Sequence, residues 1–380
     1  MTDALGQNSG SSLPDVGDFA PASETFLRNA WYAVAWSHEV HSGPFEIEVC
    51  GRKIVLLRTR EEGLSAISGI CPHRFASLAK GKLIGGNRLQ CPYHGLEFGP
   101  DGRCVTNPHG PIPGVLRLER FCVEERHSII WLWYGDRMAA DTSLIPDFQL
   151  LEDERHHVIY GRLLTRAHFE LISDNLMDLS HVGFVHDGGI GDAGAISKGE
   201  HSVSNEGTTL RSNRWCPNSP APPVWSMLFG GYKKPVDHWL NMRWDAPSTM
   251  WLDVGVTPTG KDRSEGITVW GAHLLAPRNE SETHYLWAAC RDFALGDVAL
   301  DEAIRSSIEH AFIEEDKPII EDVARNMAGR SFKEMRPLIM PFDEGAIRAR
   351  RLLDDLRIGR KKQRPSAVRC DSDMPAAGPG

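Results

Sequence analysis

A chain of 380 residues is too long for one small core and suits two domains of ordinary size. With 41% hydrophobic and 24% charged residues it has the composition of a globular protein, and its net charge of −9 argues against a nucleic-acid partner held through phosphates. No apolar run is long enough to span a bilayer, and the start of the chain lacks the basic head and apolar stretch of a signal peptide, so a cytoplasmic protein with no membrane segment is expected.

Such a compartment keeps thiols reduced, so the eight cysteines do not read as a disulfide framework. Cys50, Cys104, Cys122, Cys216, Cys290 and Cys370 are scattered and read as buried small side chains or idle thiols. Cys71 and Cys91 stand in a pattern.

Residues 1–27, rich in Gly, Ser, Pro and Asp, read as a mobile tail. From Trp31 to Asp136, short strand-like runs alternate with turn signals. Examples are Lys53-Ile54-Val55-Leu56-Leu57, the turn Gly99-Pro100-Asp101-Gly102, and Ile129-Ile130-Trp131-Leu132-Trp133-Tyr134 closed by Gly135-Asp136. This predicts a small all-β domain over residues 28–137. A second domain, 138–358, opens with a helix near 169–182 and a glycine-rich loop at 188–194. Strands are expected at 250–256, 267–275 and 284–290, a long helix at 300–327 and a shorter amphipathic one at 344–356. Trp225, Trp239, Trp244, Trp251, Trp270 and Trp287 are spread through this half. Most read as core, with an aromatic pocket as the alternative. Arg243 reads as half of a surface salt bridge, with a substrate carboxylate as the alternative partner. Residues 359–380, including Arg360-Lys361-Lys362, read as a disordered, solvated tail rather than a nucleic-acid patch. There is no internal repeat.

Cys71-Pro72-His73 is followed, after a seventeen-residue gap, by Cys91-Pro92-Tyr93-His94-Gly95. Each half offers a thiolate and an imidazole on a tight turn, so two loops can bring four ligands to one point. Zinc is one candidate for a Cys₂His₂ set, but C-x-H is tighter than the usual knuckle and Leu96-Glu97-Phe98 reads as strand, not as a zinc-finger helix. The pattern resembles the Rieske motif, in which two Cys hold one iron of a [2Fe–2S] cluster and two His the other. Asn29-Ala30-Trp31-Tyr32, the run from Cys91 to Phe98 and Gly102-Arg103-Cys104-Val105 extend the likeness. Rieske proteins of respiratory complexes add a disulfide bracing the cluster loops. Here the corresponding positions are Ala76 and Tyr93, so the sequence resembles the lower-potential oxygenase branch.

The second constellation is Asp174-Asn175-Leu176-Met177-Asp178-Leu179-Ser180-His181-Val182-Gly183-Phe184-Val185-His186. Asp178 and His181 would share a helix face, and Gly183 would let the chain turn so that His186 returns to the same point. Two His and a carboxylate with open positions form the facial triad of non-haem Fe(II) oxygenases, although a structural His pair shows the same spacing. Farther on, Ile304, Ile308, Phe312, Ile319 and Val323 make an apolar stripe. Glu315 and Asp316 fall on or beside it, Glu314 points away, and periodicity does not choose between the first two. Pro318 is expected to kink this helix near the metal.

Asp-Asn-Leu-Met-Asp before the two His resembles the aromatic-ring-hydroxylating oxygenases, in the branch that contains vanillate O-demethylase and dicamba monooxygenase. The resemblance implies a Rieske β-domain followed by an α+β catalytic domain of helix-grip (START-like) form, an antiparallel sheet with flanking helices. It implies that Cys71, His73, Cys91 and His94 hold a [2Fe–2S] cluster, and that His181 and His186 bind Fe(II). Glu315-Asp316-Lys317 with Ile319-Ile320-Glu321 matches the branch's acidic motif, which makes Asp316 the third ligand. By the same resemblance Asp178 is not a ligand but bridges His181 to the partner subunit's His94, giving electrons a route. The role of Asn175 is open.

The resemblance further implies a homotrimer with the cluster of one subunit beside the iron of the next. No G-x-G-x-x-G follows a strand here, so electrons are expected from a separate NAD(P)H-dependent reductase or ferredoxin. The implied reaction is O₂-dependent oxidation of a small aromatic substrate, first of all O-demethylation of a methoxylated aromatic acid. Ring hydroxylation or N-demethylation is the alternative, and an electron carrier without catalysis the reading from another class.

Overall fold

The computed structural model describes residues 25–186, 189–191 and 194–365. Most of the expected N-terminal tail, residues 187–188 and 192–193 of the glycine-rich loop, and the chain from 366 onward with Cys370 lie outside the described residues.

The N-terminal part is all β. In chain order its strands are β1 (Ala30–Trp36), β2 (Phe45–Val49), β3 (Arg52–Thr59) and β4 (Gly63–Ser68). Then come β5 (Lys82–Ile84), β6 (Arg88–Gln90), β7 (Glu97–Phe98) and β8 (Cys104–Thr106), and finally β9 (Arg120–Phe121), β10 (Val123–Arg126) and β11 (Ile129–Tyr134). They pair as three small sheets, β2-β3-β4-β9, β5-β6-β7-β8 and β1-β11-β10. β11 is apolar along its whole length because both of its faces are covered. Ile130 and Leu132 share a core with Tyr32 and Val34, while Trp131 and Trp133 pack with Trp31 on the other side.

The C-terminal part is one antiparallel sheet of β12 (His157–Thr165), β13 (Glu200–Glu206), β14 (Thr209–Ser219), β15 (Val236–Asp245), β16 (Thr249–Pro258), β17 (Ile267–Pro277) and β18 (Thr283–Arg291). Its order is β12-β18-β17-β16-β15-β14-β13. Alternation sorts the residues between two faces. Trp251, Trp270, Leu274 and Leu286 point to the N-terminal sheet and meet Trp31, Trp131 and Trp133 in one cluster. The opposite face is covered by helices α1 (Phe169–Met177), α2 (Val182–Val185), α3 (Ala195–Lys198), α4 (Pro223–Leu228), α5 (Val298–Glu309), α6 (Lys317–Met327), α7 (Phe332–Met335) and α8 (Glu344–Arg357). This is the expected α+β arrangement. Salt bridges clamp α1 to α8: Arg350 pairs with both Asp174 and Glu170 at 2.6 Å, and Arg357 with Glu170 at 2.6 Å. With both partners charged and little exposed, these pairs fix the helix that leads into the second metal constellation.

Several local expectations change. The helix starting at Phe169 ends at Met177, and a 3₁₀ turn, Leu179–His181, makes the corner that Gly183 was expected to make. Gly183 is instead buried inside α2. The long C-terminal helix contains a π-helical turn, His310–Asp316, between α5 and α6. Pro318 stands directly after it at the start of α6, where its missing N–H coincides with the change of hydrogen-bond ladder. The widened turn rotates the apolar stripe: Ile304 and Ile320 are buried, whereas Ile319 and Val323 are exposed. Arg243 is not on the surface. It is 2% exposed, pairs with Asp245 at 2.7 Å and donates to the Asp147 carbonyl, on the face of the sheet opposite Leu240 and Met242. Phe26 and Leu27, assigned to the tail, are buried in the core. Gln363, assigned to the C-terminal tail, donates to the Ala246 carbonyl.

Candidate metal centres

The two cluster-type loops are built alike. In each, the cysteine N–H donates to the carbonyl five residues on: Cys71 to Ala76 at 2.9 Å, Cys91 to Leu96 at 2.7 Å. The residue four on donates back to the cysteine carbonyl, Phe75 at 2.9 Å and Gly95 at 3.1 Å. That closure demands a left-handed residue at the fourth position, where φ is 59° at Phe75 and 73° at Gly95. The spacing difference between C-x-H and C-x-x-H is thus absorbed within two equal frames.

Cys71 and Cys91 sit at the buried end, 1% and 2% exposed, among Leu78, Leu89, Leu96 and Phe98. His73 and His94 reach the rim, with ring centroids 4.5 Å apart. Burial first, and the neighbouring Cys91 thiol with it, push the Cys71 thiol up to about 11. Two thiolates at one buried point need a cationic partner, and iron supplies that charge. The donor set fits a [2Fe–2S] cluster: Cys71 and Cys91 would hold one iron from the buried end, and His73 and His94 the other from the rim.

At the second site, one ligand atom each of His181, His186 and Asp316 lies within 4.8 Å of the others. His181 Nε2 is 3.5 Å from Asp316 Oδ1, and His186 Nε2 is 3.3 Å from Oδ2. Both imidazoles are held from behind. His181 Nδ1 donates to the Asp178 main-chain carbonyl at 2.6 Å, and His186 Nδ1 to the Glu315 carboxylate at 2.7 Å. In a neutral ring this leaves each Nε2 with a lone pair aimed at a buried carboxylate. Three electron-rich atoms converge there, which is unfavourable unless a cation sits among them, so the residues fit a divalent iron.

The π turn accounts for the carboxylate. Ile304, Ile308, Phe312, Asp316 and Ile320 are four apart, and in a regular α-helix each such step drifts by about 40°. The wider turn takes up most of that drift and keeps Asp316 on the inner face, 6% exposed. It also sets Glu315 beside it, behind His186. The two carboxylates that periodicity could not separate therefore have different places, Asp316 in front of the imidazoles and Glu315 at the back. Asn175 donates to Asp316 Oδ1 at 3.2 Å and lies 3.4 Å from His181 Nε2, so it steadies the carboxylate. The Asp178 carboxylate caps the next turn by accepting from the Ser180 N–H at 2.9 Å, with Arg214 3.8 Å away. It is the main chain of Asp178, not its carboxylate, that bonds His181.

Glu315 was read from the sequence only as the other candidate ligand; its place behind His186 and the tie from Asn175 to Asp316 were not foreseen. A Glu one residue before a metal ligand carries no helical signal unless the π turn is known. For Glu315→Gln we expect roughly tenfold weaker iron retention, read as faster iron loss to a ferrous chelator with the cluster absorbance unchanged.

An apolar cavity of about 160 Å³ opens against this triad. Its walls include Leu240, Leu252, Val254 and Val269 of the sheet, with Trp225, Trp287 and Phe312 as the aromatic members. Beside the triad its polar side chains are Asn175, Ser307, His238 and His273. Of the remaining tryptophans of this half, Trp239, Trp244, Trp251 and Trp270 are buried and Trp215 is half-buried.

Comparison with known proteins agrees with this geometry. Residues 30–115 match the Rieske [2Fe-2S] domain, and residues 165–357 match the vanillate O-demethylase oxygenase C-terminal domain. The chain is 40% identical over 333 residues to the chloroacetanilide N-alkylformylase oxygenase component of Rhizorhabdus wittichii, covering 87% of this chain and 95% of that protein. It is 34% identical over 334 residues to the dicamba O-demethylase oxygenase component of Stenotrophomonas maltophilia, covering 87% and 98%. The structure of dicamba monooxygenase bound to 3,6-dichlorosalicylic acid superposes with a TM-score of 0.84 at 34% identity, over 88% of this chain and 98% of that one. Dicamba monooxygenase is also known with non-haem iron and dicamba bound, and aligns with a TM-score of 0.78. The cofactors of this chain are accordingly a [2Fe–2S] cluster and Fe(II), and among the described residues no helix is long and apolar enough to cross a membrane. With both domains matched and relatives above 30% identity along most of its length, the chain belongs to the Rieske non-haem iron oxygenases, as an oxygenase component of the vanillate O-demethylase branch.

Proposed function

We propose that this protein oxidatively removes an O- or N-alkyl group from a small aromatic compound. In this reading Cys71, His73, Cys91 and His94 hold the cluster, and His181, His186 and Asp316 hold the iron. The observation that carries it is the apolar cavity opening directly onto the His181–His186–Asp316 triad.

When bound, the mononuclear iron supplies O₂ activation and the cluster supplies electrons one at a time. The chain's own residues do the rest. Glu315 and the Asp178 carbonyl fix the two imidazoles, Asn175 steadies Asp316, and the aliphatic walls exclude bulk water. One oxygen atom enters the alkyl C–H bond and the other leaves as water, with two electrons and two protons consumed. The resulting hemiacetal or hemiaminal collapses to an aldehyde and a phenol or arylamine.

A methoxylated aromatic acid is the substrate class implied by the sequence resemblance. N-dealkylation of an uncharged anilide is the second reading, since no Arg or Lys among the described residues lines the cavity and a relative at 40% identity is named for that chemistry. The domain boundary is placed near residue 137, electrons come from a separate reductase or ferredoxin, and a cytoplasmic homotrimer joins each cluster to a neighbour's iron.

The test is aldehyde release by the iron-loaded protein with a surrogate reductase, NADH and O₂, across methoxybenzoates and N-alkyl anilides. Aldehyde matching substrate loss is the expected result. A hydroxylated product with the alkyl group intact would sink dealkylation and leave ring hydroxylation.

A further inference from the structure

His238 is a buried polar residue that neither metal site uses. It is 1% exposed, and neither ring nitrogen has a hydrogen-bond partner among the described residues. Burial pushes its imidazole down to about 3, so at neutral pH it is an uncharged ring with one N–H donor and one acceptor, both unmatched. Such groups are rare in protein interiors and call for an explanation.

Its position supplies one. β15 turns His238, Leu240 and Met242 toward the cavity, and Trp225 of α4 lies over the imidazole with ring centroids 6.0 Å apart. In the sheet register His238 faces Val256, which faces Ile267, whereas His273 faces Met250. The two imidazoles are thus two strands and six residue levels apart, at opposite corners of the cavity floor. His273 spends its Nδ1 on the Tyr285 hydroxyl at 2.6 Å, which leaves only Nε2 unmatched, and it is near enough to Asp316 for that charge to be felt. His238 has Trp225 against its ring, Cys216 and Val256 as its strand partners, and a side on the cavity.

We infer that His238 is a specificity residue that donates a hydrogen bond to an uncharged carbonyl group of the substrate, and so decides which alkyl group faces the metal triad. The inference rests on the dealkylation reading above. A carbonyl matches a neutral donor in an apolar wall. A carboxylate at this corner would be desolvated with no cationic side chain among the described lining residues, which is far more costly. A substrate with no polar group there would leave the ring unpaired, and rejection by an unmatched buried polar group is strong.

The test uses the holoenzyme, wild type, His238→Phe and His238→Asn, each with unchanged cluster absorbance and iron content. Three probes are compared: N-ethylacetanilide, its carbonyl-free analogue N,N-diethylaniline, and the anion 3-ethoxybenzoate. Calorimetric affinity for the anaerobic oxidised protein is measured beside kcat and KM. Wild type is expected to bind the acetanilide about tenfold or more tighter than the diethylaniline. His238→Phe should erase that preference in Kd and in kcat/KM, and His238→Asn, which keeps an N–H donor, should restore part of it. No preference in the wild type, tighter binding of the benzoate than of the amide, or an unchanged preference in His238→Phe overturns the inference. Retained preference with no acetaldehyde formed would instead sink the dealkylation reading and leave the His238 contact standing.

Discussion

Replacing His186 or Asp316 by alanine is expected to abolish turnover and to lower iron from about three per chain to about two, with acid-labile sulfide unchanged at about two. The cluster loops close through their own backbone bonds and pack on a separate apolar cluster of Leu78, Leu89, Leu96 and Phe98, so nothing at the triad holds them in place. Each triad residue, by contrast, has one role and no nearby substitute. Glu315, the nearest other carboxylate, is behind His186 and bonded to its Nδ1, so it does not reach the front of the site. The alanine variants should fold. Each removes a lone pair from a crowded electron-rich point, and the donor that Asp316→Ala leaves behind, the Asn175 amide, borders the cavity. The measurements are iron and sulfide content, visible absorbance of the cluster and aldehyde release. Full activity in Asp316→Ala, with the third iron retained, would show that another group ligates it.

The same two carboxylates show where sequence reasoning stopped. Three of the seven strands in the large sheet, β16, β17 and β18, were legible because β-branched and aromatic residues recur in them between faces that are both covered, whereas β12 to β15 were not read from the sequence. The two cluster loops were legible because thiol and imidazole at short spacing have few other uses. The phase of the helix carrying Asp316 was not. Ile319 and Val323 satisfy an α-helical stripe extrapolated from Ile304, and only the π turn at His310–Asp316 turns them outward and brings Ile320 in. A periodicity argument assumes one pitch, so it fails one turn after the pitch changes. Arg243 failed for a different reason. A charged residue beside tryptophans reads as surface unless its partners are known, and these, Asp245 and the Asp147 carbonyl, are close only through strand pairing and packing. His238 gave no signal, because a lone histidine in a strand is identical in sequence whether its ring is paired or empty-handed.

Asp178→Asn is expected to cut turnover about a hundredfold while both metal sites stay loaded, the upper end for a group that supports a metal ligand without touching the metal. The structure separates two functions of this residue. Its main-chain carbonyl receives the His181 Nδ1 proton, and no substitution removes that carbonyl. Its carboxylate caps the 3₁₀ turn through the Ser180 N–H, a role that Asn fills nearly as well as Asp. If Asp178 served only to shape the turn, Asn would therefore be close to wild type, and Ala would cost about 1 kcal/mol of local stability. If the carboxylate instead receives the N–H of a cluster histidine across a subunit boundary, while the main-chain carbonyl of the same residue holds His181, Asn loses the charge that strengthens that bond and is nearly as impaired as Ala. The readout that separates these is not steady-state rate alone. With the cluster reduced beforehand and substrate bound, mixing with O₂ should oxidise the cluster about a hundredfold more slowly in Asp178→Asn, with iron content and substrate affinity unchanged. Cluster oxidation at the wild-type rate in the Asn variant would assign Asp178 to the turn and move the electron route elsewhere.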